Sequence, residues 1–273
     1  MIVRDCGLPG GWGVIFLLSA CMALGVTRPA EAETIVAGDS YYAPGTPVSG
    51  DFVLGPSSPG KWGSPVLGTG AVVTWSLMPS GSATEDASAT VALSAFMPVG
   101  FHGAITAAFA AWSAVADITF IEVADDGADF NAPTASGDIR IAGTLLDGAG
   151  ATLAHGYYPP LNGLTAAGDI HFDTGDTWKL GFGGAGFNIF QVAAHEIGHA
   201  IGLNHTGVAA SLMNPFYTEA FIGPQLDDIA GAQFIYGPAP ASSVPEPAST
   251  ALLVSGLLIV AFRARRRDRS LAL

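Results

Sequence analysis

Three of the six histidines in the chain fall within eleven residues, His195-Glu196-Ile197-Gly198-His199-Ala200-Ile201-Gly202-Leu203-Asn204-His205. On a helix, His195 and His199 lie one turn apart and project from one face toward a common point. Gly202 adopts backbone conformations closed to other residues, so the chain can turn sharply there and bring His205 back as a third ligand. Three neutral imidazoles with an open fourth position are the donor set of a catalytic zinc ion rather than of a closed structural one. Glu196 follows the first ligand directly, within reach of a water at the metal and without ligating the metal itself. A bare His-Glu-x-x-His pair arises by chance, and incidental histidines on a wet helix face would then explain it. The added Gly202 and His205 at the required spacing favour the metal. The chemistry expected is metal-assisted hydrolysis with Glu196 as general base.

Several elements must position these residues. Residues 188–203 read as a helix, with Asn188 and Gln191 spaced as a capping box. Ile189, Ala193, Ile197 and Ile201 recur every four residues on the side opposite the histidines, which buries the helix against a sheet. Residues 101–115 form an Ala-rich helix with Ile105, Phe109 and Trp112 on one face, and residues 226–236 form a third helix. Residues 71–78, 118–123 and 138–142 carry strand patterns, and residues 153–158 and 169–172 carry weaker ones. Strands interleaved with helices give an α/β or α+β domain.

The 273 residues suffice for one such domain with processing segments at its ends. Arg4, an apolar stretch over 14–26 and Ala30-Glu31-Ala32 read as a signal peptide, residues 1–32. Leu18-Ser19-Ala20-Cys21 offers the competing reading of a lipoprotein box. Either sends the protein out of the cytoplasm. Cys6 and Cys21 are the only cysteines, so residues 33–240 must hold any metal with His and carboxylate. From Glu33 to Ser242 there are three basic residues, Lys61, Arg140 and Lys179, against nineteen acidic ones, a net of −16. That charge argues against nucleic acid and anionic membrane as partners and suits divalent cations or plain solubility.

At the other end, residues 241–273 contain Val244-Pro245-Glu246-Pro247, an apolar run of fifteen residues over 248–262, then Arg263, Arg265, Arg266 and Arg267. A short transmembrane anchor, held by its arginines, is one reading. The order of parts closely resembles a PEP-CTERM sorting tail. That resemblance implies transient inner-membrane association, recognition by an exosortase-type enzyme, and delivery to the outside or the envelope surface of a bacterium.

The zinc motif resembles that of the metzincin clan and, within it, the matrixins. Ser211-Leu212-Met213-Asn214-Pro215 looks like the Met-turn, placing Met213 beneath the zinc. Pro215-Phe216-Tyr217 resembles the wall of the specificity pocket, to which Pro215 and Tyr217 contribute. Leu226-Asp227-Asp228-Ile229-Ala230-Gly231 looks like the start of the final helix. The similarity runs over about 61–237. It implies an α+β zincin fold: a twisted mixed β-sheet with an active-site helix, a backing helix and a C-terminal helix. It also implies an extended polypeptide substrate along an edge strand at 151–157. Asp138, Asp169, Asp173 and Asp176 stand where matrixins place calcium-binding oxygens, the plain alternative being a set of solvated turn carboxylates. His155 and His171 match two of three histidines around a second zinc, and read equally as ligands or as ordinary hydrogen-bonding residues. The loop at 143–148 offers Asp147 but no third histidine. Thr206 stands where matrixins usually have Ser. The alternative function is a non-catalytic component of an extracellular or biofilm matrix that retains the metal scaffold.

Overall fold

The computed structural model describes residues 60–160 and 165–241 and, as backbone, 32–36 and 53–54. The signal peptide read over 1–32 therefore lies outside the described residues except for Ala32, and the sorting tail and its apolar run at 248–262 lie outside them. No helix among the described residues is long and apolar enough to cross a membrane.

In chain order the strands are β1 (Ala32–Val36), β2 (Val53–Leu54), β3 (Ala71–Leu77), β4 (Ile118–Glu122), β5 (Ile139–Thr144), β6 (Thr152–Tyr157), β7 (Ile170–Asp173), β8 (Trp178–Lys179), β9 (Phe187–Asn188) and β10 (Leu203–Asn204). The helices are α1 (Phe101–Ser113), α2 (Ile189–Ala200) and α3 (Leu226–Tyr236). Six strands form one mixed sheet in the order β1-β6-β7-β5-β3-β4. β3 runs parallel to β4 and β5, and β5 parallel to β7, while β6 runs against both β7 and β1. This is the mixed sheet with three helices expected of an α+β zincin.

Alternation builds the sheet's inner face. In β3, Val73 and Trp75 are buried and Val72 is exposed, and Trp75 stacks on Phe109 of α1 at 4.7 Å. Ile105, Phe109 and Trp112, spaced to share a helix face, are all buried. The indole N–H of Trp112 donates to the Ala194 carbonyl at 2.9 Å and ties α1 to α2.

The expected elements appear with shifted ends. The helix read over 188–203 stops at Ala200 because Gly202 turns into the left-handed region at φ 107. The capping box is half realised: Asn188 accepts from the Gln191 amide at 2.9 Å, but the Gln191 side chain accepts from the Gly223 amide at 3.0 Å instead of returning to the cap. The larger difference is at the sheet's edge. The strand near 151–157 is not the last one, because β1 lies on its outer side. An unpaired edge is a row of open donors and acceptors, and an extended segment of the same chain fills it.

Candidate metal centre

Eleven of the twelve residues of α2 are buried, Phe190 being the exception, so its histidines do not line a wet face. His195 and His199 are wholly buried. Nδ1 of His195 donates to the Leu212 carbonyl at 2.6 Å, and Nδ1 of His199 to the Leu203 carbonyl at 2.8 Å. A carbonyl only accepts, so each ring carries its proton on Nδ1 and presents a lone pair at Nε2. These two Nε2 atoms and that of His205 converge, separated by 3.0 Å between His195 and His199 and by 3.2 Å from each to His205. Tetrahedral zinc with bonds of about 2.0–2.1 Å needs its nitrogens about 3.4 Å apart, so the triad fits the ion to within a few tenths of an ångström. Lone pairs gathered this closely repel one another until a cation sits between them.

Protonation does not compete for these atoms near neutral pH. Burial, with the nearby His205, pushes His195 down to about 3. Burial and the two neighbouring imidazoles hold His199 well below its ordinary value. Burial also lowers His205, to about 4. All three imidazoles are therefore neutral near pH 7, the form that can ligate a metal.

Glycines let other groups close in. At Gly202 an added Cβ would lie 2.5 Å from the Gly60 carbonyl oxygen, so that position is closed both by conformation and by space. At Gly198 a Cβ would run into Sδ of Met213 and lie 3.1 Å from the Trp112 ring. Met213 thus packs directly against α2. Its turn is held by the buried Asp228 carboxylate, which accepts from the Leu212 amide at 2.8 Å, the Met213 amide at 3.1 Å and the Ser211 hydroxyl at 2.5 Å. Thr206, buried, donates its amide to the Met213 carbonyl at 3.0 Å.

Glu196 is fully buried, on the side of α2 that meets β6. A Cβ on Gly156 would lie 3.0 Å from the Glu196 carbonyl oxygen, 3.1 Å from its Oε2 and 3.5 Å from the His199 Cβ. The next residue facing this way, Tyr158, sets its ring edge-on to His199 at 5.9 Å. Tyr217 anchors the segment that begins at Pro215, which is itself half-buried. Its hydroxyl donates to Glu219 at 2.6 Å and accepts from the Asn188 amide, at the start of α2, at 2.9 Å. Lys179 closes that network on Glu219 at 2.7 Å.

The two-residue period of β6 sends His155 to the opposite face of the sheet. There Nε2 of His155 lies 2.9 Å from Nδ1 of His171, and Glu85 approaches them at 3.2 and 3.4 Å. These three residues form, with the zinc triad, the two groups of donors close enough to share an ion among the described residues. Asp147, the substitute suggested by sequence, is engaged elsewhere: its carboxylate accepts from the Thr152 amide and hydroxyl. The third donor comes instead from seventy residues upstream of His155, which no local spacing signals.

Asp138 accepts from the Thr74 amide and hydroxyl, both at 2.8 Å. Asp169, at the entry to β7, is 1% exposed; burial raises its pKa well above the ordinary value, and its Oδ1 has no hydrogen-bond partner among the described residues. Asp173 accepts from the amides of Asp147, Gly148 and Gly175, and Asp176 accepts from Gly150 through Oδ1. Oδ2 of Asp176 is buried with no such partner, and burial together with Asp173 and Asp147 raises its pKa.

Residues 92–237 match the family described as Matrixin. The chain is 36% identical to the interstitial collagenase of Bos taurus over 179 residues, 64% of this chain and 37% of that protein. It is 38% identical to stromelysin-3 of Xenopus laevis over 147 residues, 52% and 29% of the two chains. Against karilysin of Tannerella forsythia the identity is 38% over 137 residues, 50% and 28%. The chain thus spans between 28% and 37% of the length of these relatives. Matrixins are zinc-dependent endopeptidases. With the match taking in more than half of its length and the histidine triad inside it, this chain belongs to the matrixin family.

Proposed function

We propose that the chain is an exported zinc endopeptidase of metzincin type, cleaving extended polypeptides, with zinc on His195, His199 and His205. The observation that carries this reading is the convergence of three buried Nε2 atoms, two of them locked in the ligating tautomer by backbone carbonyls. When bound, zinc supplies Lewis-acid polarisation of the scissile carbonyl and of the attacking water. Glu196, the buried carboxylate beside the triad, takes the proton from that water and passes it to the leaving amine. The Met213 turn supports the helix from below, and Pro215 and Tyr217 wall the pocket for the side chain after the scissile bond. The substrate lies extended across the site.

Glu85, His155 and His171 hold a second zinc, and Asp173 and Asp176 with Asp147 hold calcium. The orphaned oxygen of Asp176 supports the latter. Asp138 and Asp169 contribute to a further calcium position near the entries of β5 and β7. Export rests on the signal peptide, and release at the bacterial surface on processing of the C-terminal tail by an exosortase.

The test is Glu196→Ala. Zinc content and circular dichroism should match wild type, because the three imidazoles and the helix are untouched. Casein cleavage should fall by roughly two to four orders of magnitude, the contribution of a positioned general base. Equal cleavage by both proteins would show that another group is the base. Folded, zinc-loaded wild type that cleaves no peptide would favour a matrix scaffold.

A further inference from the structure

An α-helix leaves the carbonyls of its last turn without partners along its own ladder, and a buried helix end must find them elsewhere. α2 ends inside the protein at Ala200. The Ile197 carbonyl accepts the Ile201 amide and the His199 carbonyl accepts the Gly202 amide, both at 2.9 Å. The next two carbonyls are met by side chains from distant parts of the chain. The indole N–H of Trp62 donates to Ala200 at 2.7 Å, and the hydroxyl of Tyr236, in α3, donates to Ile201 at 3.1 Å. The same hydroxyl accepts the Trp62 amide at 3.1 Å, so the two residues form one unit. Both are buried, and burial holds the Tyr236 phenol well above its ordinary pKa, so that it remains a donor. The Trp62 ring also lies against the backbone at Gly168, just before β7, where an added Cβ would come within 2.8 Å of it. Trp62 therefore joins the end of α2 to the sheet.

We propose that Trp62 and Tyr236 are positioning residues of the metal centre, holding the backbone reversal that links His199 to His205. The inference rests on the zinc reading above and extends it to two residues outside the histidine motif. Five residues, Ala200 to Asn204, separate the second histidine from the third. Trp62 and Tyr236 hold the carbonyls of the first two, and Gly202 makes the turn at φ 107. Leu203 then offers the carbonyl that takes the Nδ1 proton of His199 at 2.8 Å. A shift of this backbone therefore reaches two ligands at once. It turns the His199 ring through the Leu203 carbonyl, and it displaces His205, whose Nε2 lies 3.2 Å from each of the other two. His195 is insulated from the shift, because its own Nδ1 donates to Leu212 on another segment.

The test uses the full chain. Tyr236→Phe deletes one hydroxyl and Trp62→Phe deletes the indole N–H, and each keeps an aromatic ring in place. Val73→Ala, buried in β3, is the control for lost stability alone. Two probes are read: zinc, in competition with a chromogenic chelator, and cobalt(II), by its visible absorption. In both, the share of the histidine triad is the part that His199→Ala lacks. Each phenylalanine variant should weaken zinc at the triad by about threefold to tenfold and alter the cobalt band. The effect falls at the low end for groups around a metal, because these two act on the backbone between ligands rather than on an imidazole. Val73→Ala should lower the thermal midpoint and leave both readings at wild type. Should Trp62→Phe fail to fold, Tyr236→Phe decides alone, since it removes a single oxygen from the packing. If Tyr236→Phe folds with wild-type zinc affinity and cobalt spectrum, and loses only thermal midpoint as the control does, the pair is merely structural and the inference is wrong. If His199→Ala binds as much zinc as wild type, the zinc assignment itself fails and takes this inference with it.

Discussion

Glu85 changes what two histidines can do. His155 and His171 alone, 2.9 Å apart and buried, would be a hydrogen-bonded pair between neighbouring strands. A carboxylate 3.2 Å from one and 3.4 Å from the other turns them into three converging donors. Burial works against ionising Glu85, but the hydrogen bond from His171, with the two rings beside it, brings the carboxyl down to about 2. Burial, aided by His171, pushes His155 to about 4, leaving it neutral and free to ligate. Elemental analysis should accordingly find two zinc ions per chain in wild type, one in Glu85→Ala and one in His199→Ala, each variant losing a different ion. Wild-type stoichiometry in Glu85→Ala would remove that residue from any ligand set. At this scale the two groups differ in composition: one includes a carboxylate, and the other is three imidazoles with the buried Glu196 carboxylate on the same helix.

Among the elements, α2 owes its function to how it ends. The helix must stop after His199 and reverse so that His205 faces back toward His195 and His199, and Gly202 performs the reversal at φ 107. Alanine there would be strained by conformation and would also lie 2.5 Å from the Gly60 carbonyl oxygen. Gly202→Ala should therefore cost more than about 1 kcal/mol of stability. It should weaken zinc binding as well, because His205 rides on the displaced turn. Gly207→Ala is the control, since a Cβ at that exposed position meets nothing within 4 Å. Thermal midpoint and competition with a chromogenic chelator measure both effects. Equal midpoints and equal zinc affinity for the two variants would show that the turn tolerates a side chain.

The molecule as a whole carries a charge problem. Residues 33–242 have a net charge of −16, and part of it is buried where the loop after β5 meets the loop after β7. Asp147, Asp173 and Asp176 face one another there, and Asp176 is disfavoured as an anion by burial and by the other two. Calcium on these oxygens would relieve the repulsion and, by binding only the native state, would stabilise by about 2.7 kcal/mol at a hundredfold excess over Kd. For a domain of this size that is a rise of roughly 5–10 °C in the thermal midpoint. Slower self-digestion should accompany it. A midpoint unchanged between excess calcium and a calcium-selective chelator would count against the site.

What the sequence determined by itself was the chemistry carried on single elements. The convergence of His195, His199 and His205 was legible because an i, i+4 pair on a helix and a glycine before the third histidine are local geometry. The alternation of β3 and the apolar spacing of α1 were legible for the same reason, since each element's own period selects its buried face. Element ends were less so: Asn188 caps α2 as its residue type suggests, but Gln191 finds its partner at Gly223, thirty-two residues away. Tertiary structure alone decided which residues from distant segments meet. Glu85 reaches His155 across seventy residues, Glu219 joins Lys179 to Tyr217, and β1 lies along β6 from the far end of the chain. Such meetings are fixed by the packing of the whole sheet and its loops. Local periodicity carries no information about them, because nothing within a turn or a strand's length of Glu85 or Glu33 marks it as a neighbour of a histidine or a glycine so far along the chain.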